Sequence, residues 1–78
     1  MTKEQYEKLQ QFDLQMNTAY RSNYVNLTTK QTQFVLETMY GHDWQKRVTG
    51  NPLACSYCKL KALKTIAGEY FKYEEEHK

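Results

Sequence analysis

The amino-acid sequence predicts an all-α fold: a small three-helix domain with a long C-terminal helix. Two capping boxes, Thr2 with Gln5 and Thr28 with Gln31, mark helix starts, because each Thr and Gln side chain satisfies a free backbone group there. In the segments that follow, apolar residues recur at the three- and four-residue spacing of one helix face. A chain of 78 residues has room for a single domain, which we expect over 1–78.

The first helix is predicted to begin after Thr2 and to end near residues 21–23. Its apolar stripe consists of Tyr6, Leu9, Phe12, Met16, Ala19 and Tyr20. Asp13 falls inside that stripe. Because an unpaired buried carboxylate is costly, we expect a tyrosine hydroxyl to donate a hydrogen bond to it. Leu14 points away from the stripe, toward a second contact or solvent.

The second helix follows an extended connector over residues 23–27. It is predicted to begin at Thr28 and to end at Gly41, where glycine is available for a left-handed cap. Its inner face consists of Val35, Leu36 and Met39. Phe34 points to the side of this face. Residues 42–51 then form a loop or a short turn before the next helix.

The third helix is predicted from Pro52 to about Glu75. Asn51 before Pro52 is a favourable start, with Asn as the N-cap and Pro as the first helical residue. The main apolar stripe consists of Leu53, Tyr57, Leu60, Leu63, Ala67, Tyr70 and Phe71, and it is widened by Cys55, Ala62, Ile66 and Tyr73. A stripe this wide predicts contact with two other elements. The acidic run 74–76 opposes the helix dipole, so the last turn should fray.

Charge is sorted along the chain, although the net charge is only +2. Residues 44–64 contain five cations and no acid, whereas residues 65–78 carry a net charge of −2. The candidate partner-binding residues in and after the basic segment are Trp44, Lys46, Arg47, Tyr57, Lys61, Lys64 and Lys72. Basic residues interleaved with aromatics suit a phosphate backbone or stacked bases. A solvated lysine face explains the same spacing, and the pI of about 8.5 lies below that of dedicated nucleic-acid binders.

On the predicted third helix, Lys61, Lys64 and Lys72 fall close together on one face with Gly68. A glycine at this position would let another backbone approach the helix closely. The face is therefore a candidate contact surface for either a nucleic acid or an acidic protein groove.

The C-x₂-C motif at Cys55 and Cys58 leaves three interpretations open. Two thiolates at this spacing supply half of a tetrahedral zinc site, with His42, Asp43 and His77 as the remaining donors of the usual types. A helix N-terminus also stabilises a thiolate for redox chemistry, although the βαβ frame of thioredoxin does not fit this chain. In the third interpretation both cysteines are small buried apolar residues, and the domain needs no cofactor.

No set of residues points to catalysis. The sequence has neither a glycine-rich phosphate loop nor a nucleophile elbow. We therefore expect a protein that is not an enzyme. The sequence also has no apolar segment typical of a signal peptide or a membrane span, so we expect a cytoplasmic protein without a membrane partner.

Residues 36–73 show an ordered set of features. A helix that ends in Tyr40-Gly41 is followed by a short basic loop. After this loop come the residues Cys55-Ser56-Tyr57-Cys58-Lys59-Leu60, which lead into a helix that ends Glu69-Tyr70-Phe71. In this order the chain resembles small uncharacterised proteins encoded by phages and mobile elements of Bacteroidetes-type bacteria. The resemblance implies a role in binding, either inhibition of a host enzyme or defence nuclease or a place in the virion. In size and style the chain is similar to anti-CRISPR proteins.

Three functional hypotheses follow from these observations. The first is a non-catalytic binding protein that inhibits or modulates a host protein or protein–RNA complex, with the basic residues steering association and Trp44 and Tyr57 as anchors. The second is direct binding of DNA or RNA by the third helix and the preceding loop. The third is a structural or accessory role in a virion, or self-association, because a core this small is marginally stable alone.

Overall fold

In the computed structural model, which describes residues 1–48 and 50–77, every regular element is helical. The elements are α1 (Lys3–Leu9), a 3₁₀ turn (Gln10–Phe12), α2 (Asp13–Ser22), α3 (Thr29–Tyr40), α4 (Trp44–Arg47) and α5 (Ser56–Glu76). The predicted all-α fold with a long C-terminal helix is confirmed. Within the described part of the chain, none of the helices combines the length and the apolarity needed to cross a membrane.

The first predicted helix begins as expected but is not continuous. The Thr2 hydroxyl accepts a hydrogen bond from the backbone N–H of Gln5 (3.1 Å), and the Gln5 side chain accepts one from the Thr2 backbone (2.8 Å). The 3₁₀ turn at Gln10–Phe12 then separates α1 from α2. On either side of this break, α1 contacts both α3 and α5, whereas α2 runs along α5. The Gln5 amide also donates to the carbonyl of Thr38 at the end of α3 (3.1 Å).

Two residues with positive φ end the next helical segments. Asn23 follows α2 in the left-handed conformation, with φ 55° and ψ 35°, which Asn tolerates better than most residues. Gly41 follows α3 with φ 80° and ψ −170°, a region open essentially only to glycine. The predicted glycine stop is confirmed, but its cap is not the left-handed helical one.

The second predicted capping box is confirmed at the start of α3. The Thr28 hydroxyl accepts a hydrogen bond from the Gln31 backbone (3.1 Å), and the Gln31 side chain accepts one from the Thr28 backbone (2.9 Å). The hydroxyl of buried Thr32 donates to the Thr28 carbonyl (2.9 Å). The two bonds of the capping box satisfy backbone N–H groups that the helix itself leaves free.

Thr28→Ala is expected to lower the free energy of unfolding by about 1 kcal/mol, because it leaves a backbone N–H at the start of α3 without its partner. Urea unfolding followed by circular dichroism measures the change. Thr29→Ala is the matched control, since it alters the same residue type one position later, inside the helix. An equal loss in both variants would contradict the cap as the cause.

The third predicted helix begins at Ser56 and not at Pro52. Asn51 does cap a turn: its side chain accepts from the Leu53 backbone (3.1 Å) and its carbonyl accepts from Cys55 (2.8 Å). The turn ends there because Cys55 is extended, with φ −113° and ψ 117°. Cys55 is therefore the N-cap of α5, and Pro52 is a buried residue in the turn before it.

The hydrophobic core is one cluster to which α1, α2, α3, α4 and α5 all contribute. Its buried residues are Leu9, Phe12, Met16, Ala19, Leu27, Val35, Leu36, Trp44, Ala62, Leu63, Ile66, Ala67 and Tyr70. The predicted apolar stripes supply most of them. Tyr20 and Tyr57, which were predicted to belong to those stripes, are exposed. The stripe of α5 is thus confirmed from Ala62 onward but not at its first turn.

A tyrosine–carboxylate hydrogen bond joins α2 to α5, as predicted for Asp13. The hydroxyl of Tyr70 donates to Asp13 Oδ1 at 2.8 Å, and the Tyr70 ring stacks on Tyr6 at 4.9 Å between ring centroids. Burial of Tyr70, and then its bond to the Asp13 carboxylate, raise the pKa of this phenol far above its usual value. Asp13 itself is exposed, so the bond lies at the edge of the core.

Candidate functional site

The structure places Trp44 in the core, which corrects the prediction that its ring anchors a partner. The side chain is 4% exposed and belongs to the hydrophobic cluster. The physical reason is the size of the indole: in a chain with few branched aliphatic residues, one large ring fills space that those residues would otherwise fill. Trp44 holds α4 against the rest of the domain, and its neighbours Lys46 and Arg47 remain exposed.

Two of the cations in residues 44–64 make hydrogen bonds within the chain. Lys59 Nζ donates to the Leu27 carbonyl, and Lys64 Nζ donates to Asn23 Oδ1 at 2.6 Å. Both bonds tie α5 to the connector between α2 and α3. Lys64, predicted as a partner-binding residue, therefore has a structural contact, and the basic segment presents fewer free cations than its composition indicates.

Lys72 lies among residues of both charges near the C-terminal end of α5. It lines an open cavity of about 410 Å³ together with Arg21, Glu74 and Glu75. The predicted close approach at Gly68 is made by a ring and not by a backbone, since a Cβ there would lie 3.5 Å from Cε1 of Tyr20. Lys72 therefore does not extend a uniformly positive face.

The exposed residues Tyr57 and Lys61 form a ridge along the first turns of α5. They are four residues apart, so they lie on the same face of the helix, and Tyr57 is 73% exposed. On one side of the ridge is a groove of about 360 Å³, lined by Asn23, Tyr24, Val25, Ser56, Tyr57, Lys59 and Leu60. On the other is a cavity of about 160 Å³, lined by Tyr40, Arg47, Val48, Cys58, Lys61, Ala62 and Thr65.

We call the residues Tyr24, Arg47, Tyr57 and Lys61 the α5 N-terminal surface. Three of them were predicted from the sequence, and Tyr24 was missed. Tyr24 is 60% exposed and lines the same groove as Tyr57, although the two are distant in sequence. The available signal was an aromatic residue inside a polar, extended connector, where no apolar stripe accounts for it.

Cys55 and Cys58 form a hydrogen-bonded pair at the first turn of α5. Cys55 Sγ accepts a hydrogen bond from the Cys58 backbone N–H at 3.3 Å. Both residues are free thiols and partly exposed, so the interpretation of two buried apolar residues does not describe them. Gly50 has φ 80°, and a Cβ at this position would lie 2.6 Å from Cys58 Sγ. The loop before α5 thus passes directly over the Cys58 thiol.

The two thiols of this pair differ in acidity. The hydrogen bond from the Cys58 thiol, followed by the bond from its backbone N–H, lowers the pKa of Cys55. The same thiol–thiol bond, together with desolvation, raises the pKa of Cys58, although nearby Lys61 acts in the opposite direction. Cys55 is therefore the thiol that ionises first.

The structure does not bring the predicted zinc donors together. Among the described residues, no three His, Cys, Asp or Glu side chains are grouped closely enough to hold a metal ion. The His42 side chain is 97% exposed, with Nδ1 3.9 Å from Glu37 Oε1. His77 Nδ1 lies 2.9 Å from the Tyr73 carbonyl. The two cysteines are thus a pair without a third donor from the described part of this chain.

Comparisons with protein-family models, with curated proteins and with solved structures found no match.

Proposed function

We propose that this chain is a non-catalytic binding protein that docks on an acidic surface of a host-cell protein and inhibits or modulates it, in the cytoplasm. The target is a single protein or a protein–RNA complex such as a defence nuclease, which is also the role that the resemblance to phage proteins implies. One observation carries the proposal: two exposed tyrosines, Tyr24 and Tyr57, line one groove beside the exposed cation Lys61.

The two tyrosines supply the apolar contact area of the proposed interface. Tyr24 and Tyr57 are 60% and 73% exposed, whereas Tyr70 of the same helix as Tyr57 is buried. Tyr is enriched in interfaces because its ring buries a large area with little loss of conformational freedom and its hydroxyl finds a partner at the rim. Partly buried Val25 and Leu60 line the groove between them, and so extend the apolar area.

The cations of the α5 N-terminal surface indicate which charge a complementary partner carries. Arg47 and Lys61 line one cavity, and no acidic residue occurs between positions 44 and 64. A positive rim of this kind speeds association with a negative surface and disfavours a positive one. Arg47 also offers a planar fork of donors that matches a carboxylate. An acidic protein surface is therefore the complementary partner.

Direct nucleic-acid binding is the second candidate, because Tyr24 and Tyr57 are also suited to stacking on bases. The charge of the surface argues against it. Lys46, Arg47 and Lys61 are exposed, whereas Lys59 and Lys64 make hydrogen bonds within the described part of the chain. Three phosphate contacts correspond to a slope of about −2.7 in log K against log salt on duplex DNA, well below that of strong binders. A mobility shift with duplex DNA and single-stranded RNA at low salt tests this candidate, and strong retardation would favour it over a protein partner.

Tyr57→Ala is expected to weaken partner binding at least tenfold, roughly 1.4 kcal/mol, because it removes the most exposed ring of the surface. The tagged chain is incubated with host lysate, the protein recovered in stoichiometric amount is identified, and its affinity for each variant is measured by calorimetry. Lys61→Glu should also weaken binding, and its effect should be larger at low salt than at high salt because salt screens the charge.

Leu14→Ala is the matched control, since Leu14 is an exposed apolar residue on α2. It should bind the partner as the unmodified chain does. The recovered partner is then assayed for its own activity with increasing amounts of the chain, and we expect that activity to change. Recovery of no stoichiometric partner, or equal binding by Tyr57→Ala and Leu14→Ala, would overturn the proposal.

A further inference from the structure

We propose that Cys55 and Cys58 form a thiol–disulfide exchange site, at which a low-molecular-weight disulfide is reduced as the two cysteines join in an intrachain disulfide. The site adjoins the proposed partner contact, because Cys58 lines one cavity with Arg47 and Lys61, and its chemistry is a reversible modification of this chain. Cys55 is the attacking thiol, and Cys58 is the resolving thiol.

The geometry of the first turn of α5 places Cys55 Sγ against the backbone of Cys58. Cys55 is the N-cap of a 21-residue helix, and its sulfur accepts the Cys58 backbone N–H at 3.3 Å. Two cysteines separated by two residues at a helix N-terminus is the arrangement that supports dithiol redox chemistry in proteins. Neither residue is fully buried, so a small disulfide has access.

The pair is asymmetric, as exchange requires. Hydrogen bonds from the Cys58 thiol and backbone lower the pKa of Cys55, so this sulfur carries more thiolate at neutral pH. The thiolate is the nucleophile in exchange. Cys58 keeps its proton more tightly and is covered on one side by the Gly50 backbone, where a Cβ would lie 2.6 Å from its sulfur. Cys58 is thus suited to the second, intrachain step.

The surroundings of the pair favour anionic thiols and anionic disulfides. Cys58 shares its cavity with Arg47 and Lys61, and Lys61 lowers the pKa of Cys58. Cations beside a cysteine stabilise its thiolate. They also attract the carboxylates of a substrate such as oxidised glutathione, which is a disulfide of two acidic peptides.

The proposed reaction balances in two steps. The Cys55 thiolate attacks one sulfur of the disulfide RSSR, which forms a mixed disulfide and releases RS⁻. Cys58 then loses its proton to solvent or to that thiolate, attacks the Cys55 sulfur, and displaces the second RS⁻. In total the two protein thiols are oxidised to one disulfide, and RSSR is reduced to two RSH. Reduced glutathione reverses the sequence.

The first experiment exposes the full chain to buffers of oxidised and reduced glutathione, and then quenches it with acid and measures its mass. The unmodified chain is expected to lose two hydrogen atoms as the buffer becomes more oxidising. Cys58→Ser should instead stop with one glutathione bound to Cys55, because the resolving thiol is gone. Cys55→Ser should react more slowly than Cys58→Ser. Circular dichroism confirms that each variant keeps its helix content.

The second experiment measures the rate of Cys55 alkylation by iodoacetamide against pH in Cys58→Ser and Cys58→Ala. Serine retains an O–H that donates to Cys55, and alanine does not. Alkylation at neutral pH should therefore be faster in the serine variant, by roughly threefold for each unit by which the pKa of Cys55 is lower, since a tenfold gain in thiolate is partly offset by its weaker nucleophilicity. Equal rates would overturn the assignment of the Cys58 hydrogen bond as the main cause of the lowered pKa of Cys55.

Two further results would overturn the proposal as a whole. One is a folded chain that forms neither the intrachain nor the mixed disulfide in oxidised glutathione. The other is zinc, measured in protein purified without chelator, that is bound in a fixed ratio to the chain and blocks exchange until it is removed. In that case the pair is a metal ligand set completed by another chain.

Discussion

Trp44→Ala is expected to lower the free energy of unfolding by about 3–5 kcal/mol, which is enough to unfold much of a domain this small. The indole is 4% exposed and belongs to the single core cluster. It is also the only large apolar side chain of α4, whose sequence is WQKR. Its removal leaves a cavity and weakens the attachment of α4 to the core, because the other three side chains of α4 are exposed.

Urea unfolding followed by circular dichroism measures this loss, since Trp44 is the only tryptophan and its fluorescence disappears with it. Trp44→Phe should lose less, because a ring still fills most of the space. Lys46→Ala in the same turn is the control and should change stability by less than about 0.5 kcal/mol, as an exposed substitution does. If Trp44→Ala keeps full stability but loses partner binding, the core position is wrong and Trp44 is an exposed anchor for the partner.

Tyr70→Phe is expected to lower the free energy of unfolding by about 1.5–3 kcal/mol, the range for a hydrogen bond to a charged group. It removes only the hydroxyl that donates to Asp13 Oδ1 at 2.8 Å and keeps the ring that stacks on Tyr6. The double variant Asp13→Ala, Tyr70→Phe should lose less stability than the two single variants lose in sum, because the two residues share one bond.

The same hydroxyl makes stability depend on alkaline pH. Burial and the Asp13 carboxylate hold the pKa of Tyr70 far above its value of 10.0 in the unfolded chain. Above about pH 10 the unfolded state therefore loses a proton that the folded state keeps, so the free energy of unfolding falls as pH rises. Below that pH the contribution of Tyr70 is fully present.

Urea unfolding between pH 8 and pH 11 tests this dependence. Tyr70→Phe should lose less stability over this interval than the unmodified chain does. The decline will not vanish, because the pKa of Tyr40 is also raised, mainly by burial. An unchanged decline in Tyr70→Phe would contradict the assignment to Tyr70.

Interactions between near neighbours were predictable from the sequence. Both capping boxes join residues three positions apart, and such bonds depend only on local backbone geometry. The hydrogen bond of Asp13 to a tyrosine was predictable for another reason. Helical periodicity placed a carboxylate in an apolar stripe, and a carboxylate in that position needs a donor. Which tyrosine supplies it was not predictable.

The start of α5 shows where local rules compete. Asn51 and Pro52 are favourable for a helix start, and Asn51 does cap a turn. The helix nevertheless begins after Cys55, whose extended backbone and sulfur form a second cap. Both starts satisfy local preferences. The choice between them depends on how the preceding loop, with Gly50 against Cys58, is held to the rest of the domain.

The candidate site was only partly predictable, because exposure is a property of the folded chain. Trp44 and Tyr57 are both aromatic residues in a basic segment, yet one is buried and the other exposed. Likewise, the sequence gives no sign that Lys59 and Lys64 donate hydrogen bonds within the chain. In the structure they bond to Leu27 and Asn23, which lie 32 and 41 positions away. No spacing rule relates residues that far apart.

The all-α class, the capped helix starts and the long final helix could be predicted from the residues alone, since these features follow from contacts within one or two turns. Three features became visible in the folded chain alone: the first helix breaks at Gln10–Phe12, Trp44 is a core residue, and Tyr24 and Tyr57 line one groove. These outcomes depend on which distant segments pack together. The packing is determined by the contacts of the whole core together, so it cannot be inferred from any single segment of the chain.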